Sequence, residues 1–293
     1  MFKQTLFPRL FVAAFLAVSV CMAGHINTAL AAESDKWPIL TPKPGAQPKI
    51  NGPTVYGCRP GRAFIYRIPC TGDRPMKFAA KGLPYGLGVD QNTGIITGTI
   101  LAPPGDYVLT LSATNASGSD EKQLRLAVGD TLALTPPMGW NSWYTYYYAI
   151  TQDEMYKQTD AMVSSGMADF GYQYVSLDDC WMKLMRDPPH RDERGIILPS
   201  KHFPDMRKLT DYIHAYGLKA GTYVQIGPGE MHVGAYQHLE DDVKQFAAWG
   251  FDFLKLDTCS ALSENLIMSC GQGDEALGQL DDFSWQPQIA DKG

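Results

Sequence analysis

The feature that most limits what this chain can fold into is a change of grammar near Asp130. Downstream of it, short apolar runs alternate with stretches of helical period. Strands separated by helices cannot pair as hairpins, so they form parallel pairs joined by crossovers. Thr151-Gln152-Asp153-Glu154 reads as a capping box, and Met155, Met162, Val163 and Met167 follow on one helical face. Residues 174–177 read as a buried strand. Asp205 caps a second helix, whose stripe of Met206, Leu209, Ile213 and Tyr216 ends at Gly217. A strand at 220–223, a third helix carrying Leu239, Val243, Phe246 and Ala247 up to Gly250, and a strand at 251–256 complete the series. Four such units predict part of a TIM (β/α)8 barrel, with a doubly wound sheet as the second reading. The polar residues favour the barrel. Trp140, the pair Asp178 and Asp179, Tyr223, and Lys255 with Asp257 all fall at the ends of successive strands, where barrel sites are built.

Upstream, the period is two. Runs at 64–68, 95–99, 107–113 and 123–128 are separated by turns such as Asn92-Thr93-Gly94 and Pro103-Pro104-Gly105-Asp106. Tyr107, Leu109, Leu111 and Ala113 alternate with Val108, Thr110 and Ser112, which predicts a half-buried strand and, with the others, a small antiparallel sandwich over 48–129. Asp90, Asp106 and Asp120 are too scattered for a calcium loop, and no catalytic constellation is visible here. Residues 33–47, rich in Pro and Lys, read as a linker, and 130–293 as the second domain.

Residues 1–32 have the organisation of a secretory signal peptide: Lys3 and Arg9, an apolar run from Leu10 to Gly24, then Ala29-Leu30-Ala31. A membrane anchor would need a longer apolar run, and a lipoprotein reading through Cys21 is weakened by the bulk of Val20. The expectation is a secreted protein, periplasmic, extracellular or on the surface, with no stable membrane span. Losing that segment removes two of the 25 bases and none of the 31 acids, which argues against nucleic acid as a partner. Cys58 and Cys70 bracket a short segment and are expected to form a disulfide in an oxidising compartment. No metal-ligand spacing occurs.

Lys255 and Asp257, two apart on one strand, share a face, so the amine would hold the carboxylate ionised, as a nucleophile at a sugar carbon must be. Thr135-Pro136-Pro137-Met138-Gly139-Trp140-Asn141-Ser142-Trp143, Asp178-Asp179-Cys180-Trp181 and Gly217-Leu218-Lys219-Ala220-Gly221-Thr222-Tyr223 resemble the α-galactosidase (melibiase) family, glycoside hydrolase family 27. Phe203-Pro204-Asp205-Met206 and Phe246-Ala247-Ala248-Trp249-Gly250 extend the likeness, which runs from about Leu132 to Cys259. Leu83 to Asp90, followed by Thr93 to Thr99, resembles the immunoglobulin-like domain of many exported bacterial proteins.

The first resemblance implies an exported retaining glycosidase that cleaves terminal α-D-galactosyl residues from oligo- or polysaccharides without metal or organic cofactor. Asp257 would be its nucleophile, and Trp140, Asp178, Asp179, Tyr223, Lys255 and Cys259 would line the galactose site. Physics supports these roles separately, since adjacent carboxylates accept hydrogen bonds from neighbouring hydroxyls and an indole offers a flat wall to a pyranose. Family members acting on N-acetylgalactosamine or β-L-arabinopyranose, and a galactoside-binding protein without catalysis, are the alternatives. An adhesion or spacer protein predicts no sugar binding.

Three departures are visible. Val224-Gln225-Ile226-Gly227 follows Tyr223 where the family has a Ser-Asp-Ala-Gly loop with a cysteine beyond. The disulfide that the family places beside its site is therefore expected to be absent, or Cys259 to pair with Cys270 or Cys180. Thr258 stands where the family has Asn or Gly. A retaining enzyme also needs a second carboxyl about 5 Å from the nucleophile. Glu264, Asp274, Glu275, Asp281 and Asp282 follow Asp257 outside any recognisable motif, so the acid/base is expected to be missing and the barrel half complete.

Overall fold

The computed structural model describes residues 43–184, 186–227 and 233–257. The expected signal peptide, Cys259, Cys270 and the acids after Asp257 lie outside them.

The first module is a two-sheet sandwich. One sheet has the order β2 (Val55–Cys58), β9 (Gly118–Val128), β8 (Gly105–Asn115), β5 (Lys77–Lys81), and the other β3 (Ala63–Arg67), β7 (Ile95–Thr99), β6 (Leu87–Val89). Short strands β1 (Lys49–Ile50) and β4 (Cys70–Thr71) pair beside them. The alternation read in 107–113 holds: Leu109, Leu111 and Ala113 are buried beside Leu124, Leu126 and Phe78 of the neighbouring strands in one core. The sandwich is not purely antiparallel, because β2 runs parallel to β9. The expected Cys58–Cys70 disulfide is absent. The two cysteines belong to different sheets and are buried thiols outside any disulfide, Cys58 in β2 against the Ala127 carbonyl and Cys70 in β4.

The second module contains a four-stranded, all-parallel sheet in sequence order: β10 (Gly139–Asn141), β11 (Tyr174–Ser176), β12 (Lys219–Gln225), β13 (Phe253–Asp257). Helices α1 (Trp143–Tyr146), α2 (Gln152–Ser164), α3 (Met206–Ala215) and α4 (Leu239–Trp249) fill the connections. Thr151 caps α2 by accepting the Glu154 N–H at 3.2 Å, although the Glu154 carboxylate turns to Tyr146 and Lys157 and does not close the box. Asp205 caps α3 through the Lys208 N–H at 2.9 Å. The neighbours follow chain order without the reversal of a doubly wound sheet, so that second reading is not what is observed among the described strands.

The two modules meet at the N-terminal ends of the parallel strands. Asp169, between α2 and β11, receives Arg74 at 2.9 Å and Arg67 at 3.4 Å, and its backbone oxygen accepts from Asn51. Arg67 also donates to the Tyr216 carbonyl. Gly217 is left-handed, with φ +74, where a Cβ would stand 2.8 Å from Ile95 and 3.0 Å from Arg67 of the sandwich, so glycine is required both by the helix end and by this approach. A cavity of about 390 Å³ lies along the same junction, between Tyr56 and Gly57 on one side and Met138 and Gln173 on the other.

Candidate active site

Strand register decides which side chains can meet. On one face of the sheet, Val175 and Ala220 form a row and Leu177, Thr222 and Leu254 another, all buried under the helices. The opposite face carries Asn141, Ser176 and Gly221, then Asp178, Tyr223 and Lys255, and at the strand ends Gln225 and Asp257. The Gly221 position has no room for more: a Cβ there would lie 2.3 Å from the Ser176 hydroxyl.

Asp178, buried, is the hub. Its Oδ2 accepts Lys255 Nζ at 2.8 Å and Asn141 Nδ2 at 2.6 Å, its Oδ1 accepts the Asp179 N–H at 2.9 Å, and its own N–H donates to the Ser142 hydroxyl. Asp179 Oδ1 takes the Cys180 N–H at 2.7 Å in a tight turn that puts Cys180 at φ +76. The Tyr223 hydroxyl donates to Asp257 Oδ2 at 3.1 Å. Lys255 Nζ sits 5.2 Å from the centre of the Tyr223 ring. Burial, with the Asp179 and Asp257 carboxylates behind it, pushes the Tyr223 phenol well above its ordinary value. It therefore stays a donor at neutral pH. Burial likewise pushes the Cys180 thiol up to about 12, with both aspartates adding, so it is inert beside the site.

Of the residues expected at the site, Asp178, Asp179, Tyr223, Lys255 and Asp257 come together at the C-terminal strand ends. Lys255 and Asp257 share a face as read, and the ammonium also reaches across β12 to Asp178. Trp140 does not join them. It pairs with Val175 on the helix-facing side, and its ring lies edge-on to Tyr146, 6.2 Å away, against the core. The strand alternation that puts Asn141 inward turns Trp140 away. Trp181 is core too, fully buried, its indole N–H donating to the Tyr223 carbonyl. Asn141 and Ser142 were missed, and the signal that could have found them is the inward parity of Asn141 with Asp178 and Lys255. Among the described residues no group of acidic, His and Cys side chains could hold a metal. No described helix is long and apolar enough to cross a membrane.

Residues 135–278 match the family described as "Alpha galactosidase A", and 48–129 the one described as "Putative Ig domain". The second module is part of an alpha-galactosidase domain. Relatives of this galactosidase module include Alpha-galactosidase 2 of Arabidopsis thaliana, 39% identical over 51% of this chain and 38% of its own length, and Alpha-galactosidase A of Cellvibrio japonicus, 40% identical over 46% and 33%. The chain spans about two fifths of the length of the curated relatives it matches. Two Bacteroides fragilis crystal structures, described as "a putative alpha-galactosidase" and "a putative alpha-galactosidase/melibiase", superpose with TM-scores of 0.71 and 0.70 at 39% and 40% identity. They cover 79% and 76% of this chain and 49% and 47% of their own, more of this chain than either module supplies alone.

Proposed function

We propose that this protein is an exported retaining glycosidase that removes terminal α-D-galactosyl residues, with Asp257 as nucleophile. The single observation that carries the reading is the convergence of Asp178, Lys255, Tyr223 and Asp257 at the C-terminal ends of adjacent parallel strands. The sheet then forms the opening strands of a closed β/α barrel, for which the sequential order of β10 to β13 is the support. Export rests on the residues of the N-terminal stretch.

In the reaction, Asp178, Asp179 and Lys255 hold the sugar hydroxyls. The paired carboxylates accept hydrogen bonds, and the Lys255 ammonium, itself bonded to Asp178, donates one. The Tyr223 hydroxyl donates to Asp257 Oδ2 and so orients the carboxylate that attacks the anomeric carbon. The covalent galactosyl ester forms as the leaving oxygen departs with a proton from the acid/base, and water then reverses the step. That acid is none of the described site residues, each of which already has one of these roles.

The test is intact-mass spectrometry after incubation with 2-deoxy-2-fluoro-galactosyl fluoride, whose leaving group needs little acid assistance. One added fluorogalactosyl unit, absent in Asp257→Asn, is expected. Galactose binding without labelling would overturn the hydrolase in favour of a galactoside-binding protein.

A further inference from the structure

Residues 143–150, Trp-Tyr-Thr-Tyr-Tyr-Tyr-Ala-Ile, hold five aromatic rings and no charge. Three of the rings stand in solvent: Tyr144 is 85% exposed, Tyr148 64% and Tyr147 45%. Single exposed aromatics are ordinary, but a contiguous group is not. These rings are also held in place. Half-buried Trp143 lies edge-on to Tyr147 at 5.2 Å and to Tyr148 at 6.1 Å, and Tyr147 edge-on to Tyr144 at 6.4 Å. Tyr147 takes φ +46, a backbone region an L-residue seldom adopts. The fifth ring, Tyr146, turns inward, its hydroxyl bonded to Glu154 at 3.0 Å and Gln158 at 2.7 Å, and so pins the segment. By contrast, the hydroxyls of Tyr144, Tyr147 and Tyr148 make no hydrogen bond among the described residues, and their rings are exposed.

The patch adjoins the polar site through one residue. Asn141 accepts the Trp143 N–H on its Oδ1 at 2.9 Å while its Nδ2 holds Asp178. We infer that Tyr144, Tyr147 and Tyr148 form a stacking surface for the uncharged pyranose rings that follow the galactosyl unit, so that the site takes galactose from the tip of an oligo- or polysaccharide. This rests on the galactoside reading above. Flat rings match the C–H faces of pyranoses, free phenols match their hydroxyls, and a patch without charge suits a neutral chain. Continuity with the galactose site distinguishes this occupant from a protein partner.

Calorimetric titration of the full chain with galactose and with an α-galactosyl mannan tetrasaccharide tests it. The tetrasaccharide is expected to bind about tenfold tighter than galactose. Tyr144→Ala/Tyr148→Ala should remove that gain and leave galactose affinity unchanged, which also shows that the variant is folded. Tyr144→Phe/Tyr148→Phe should keep it. Equal affinities in the wild type, or a gain that survives the alanine pair, overturns the stacking surface and leaves the galactose site standing. A gain dependent on the tyrosines, with no binding of galactose itself, overturns the galactose site instead. A wild-type dimer in sedimentation that the alanine pair dissociates assigns the patch to a second copy and overturns the proposal.

Discussion

The two modules hold themselves together by different means. The sandwich is built almost wholly of apolar contacts, with Leu109, Leu111, Leu124, Leu126 and Ile96 fully enclosed and Thr71 as its buried polar side chain. The galactosidase module buries Asp178, Asp179, Lys219, Asp242 and Asp252, together with uncharged polar side chains such as Gln152, Thr159 and Thr210. Buried charge is costly unless paired, so each of these marks a place where the chain accepts a cost for something else. The difference teaches how to sort them. Asp242, held by both terminal nitrogens of Arg191 at 2.6 and 2.8 Å, ties the 186–199 loop to α4, and Asp252, beside Lys219 and His214, locks α3 against the start of β12. Those are structural. Asp178 and Lys255, by contrast, lie where strands end, and the ammonium keeps two fifths of its side chain open to solvent. That pair opens toward solvent at the strand ends.

If the sorting is right, the largest effect belongs to the strand-end carboxylate. Asp257→Asn should abolish covalent labelling by the fluorinated galactoside while leaving the unfolding midpoint within a degree or two. A midpoint collapse in that variant would move Asp257 into the structural group.

Asp252 should behave in the opposite way. Replacing it with Ala removes the carboxylate beside buried Lys219 and the acceptor for the Ala220 N–H and the His214 ring, and the expected loss is about 3 kcal/mol of stability, read by urea unfolding. The pH dependence follows from its surroundings. Burial alone would raise the carboxyl, but Lys219, His214 and the Ala220 N–H together hold it below its ordinary 3.8. The folded state then binds the proton less readily than the unfolded chain, so this stability is present above pH 3.8 and lost as pH falls through the lower folded value. Wild type and Asp252→Asn should therefore converge in stability in strong acid; a gap that widens there would reject the pairing.

The junction tests whether the modules are one unit. Asp169→Ala removes the acceptor shared by Arg67 and Arg74 and should cost about 1 to 2 kcal/mol, because Arg67 is left largely buried. Calorimetry should show one unfolding transition in the wild type and the beginnings of two in the variant. Two transitions in the wild type would mean that the sandwich and the sheet unfold independently despite this contact.

Sequence periodicity made the long elements legible, and the reasons it failed elsewhere are local. β7 falls on the residues read as a strand, and the caps at Thr151 and Asp205 are where their spacing placed them, because each depends on neighbours within a turn. β1, β4 and β6 are two or three residues long, too short to show a period. At the site, residue identity gave the carboxylates and Lys255, whereas Trp140 and Asn141 exchange sides because facing depends on register with β11, which a single strand does not reveal. The clamp at Asp169 joins residues about a hundred positions apart and leaves no local trace.

The smallest expected effect is none, and it bears on how the sandwich holds together. Spacing suggested that Cys58 and Cys70 brace the first module as a disulfide, which would typically be worth about 2–4 kcal/mol. As buried thiols in separate sheets, they add to the apolar core instead, and burial pushes Cys70 up to about 11, too high to ionise at neutral pH. Unfolding the chain in denaturant with an alkylating reagent and no reductant should modify both residues, and adding reductant to the native protein should leave the first module's midpoint unchanged. If Cys58 and Cys70 resist alkylation until reduced, and the midpoint drops by several degrees with them, then the sandwich relies on a covalent brace and the contrast between an apolar module and a charge-bearing one loses half its basis.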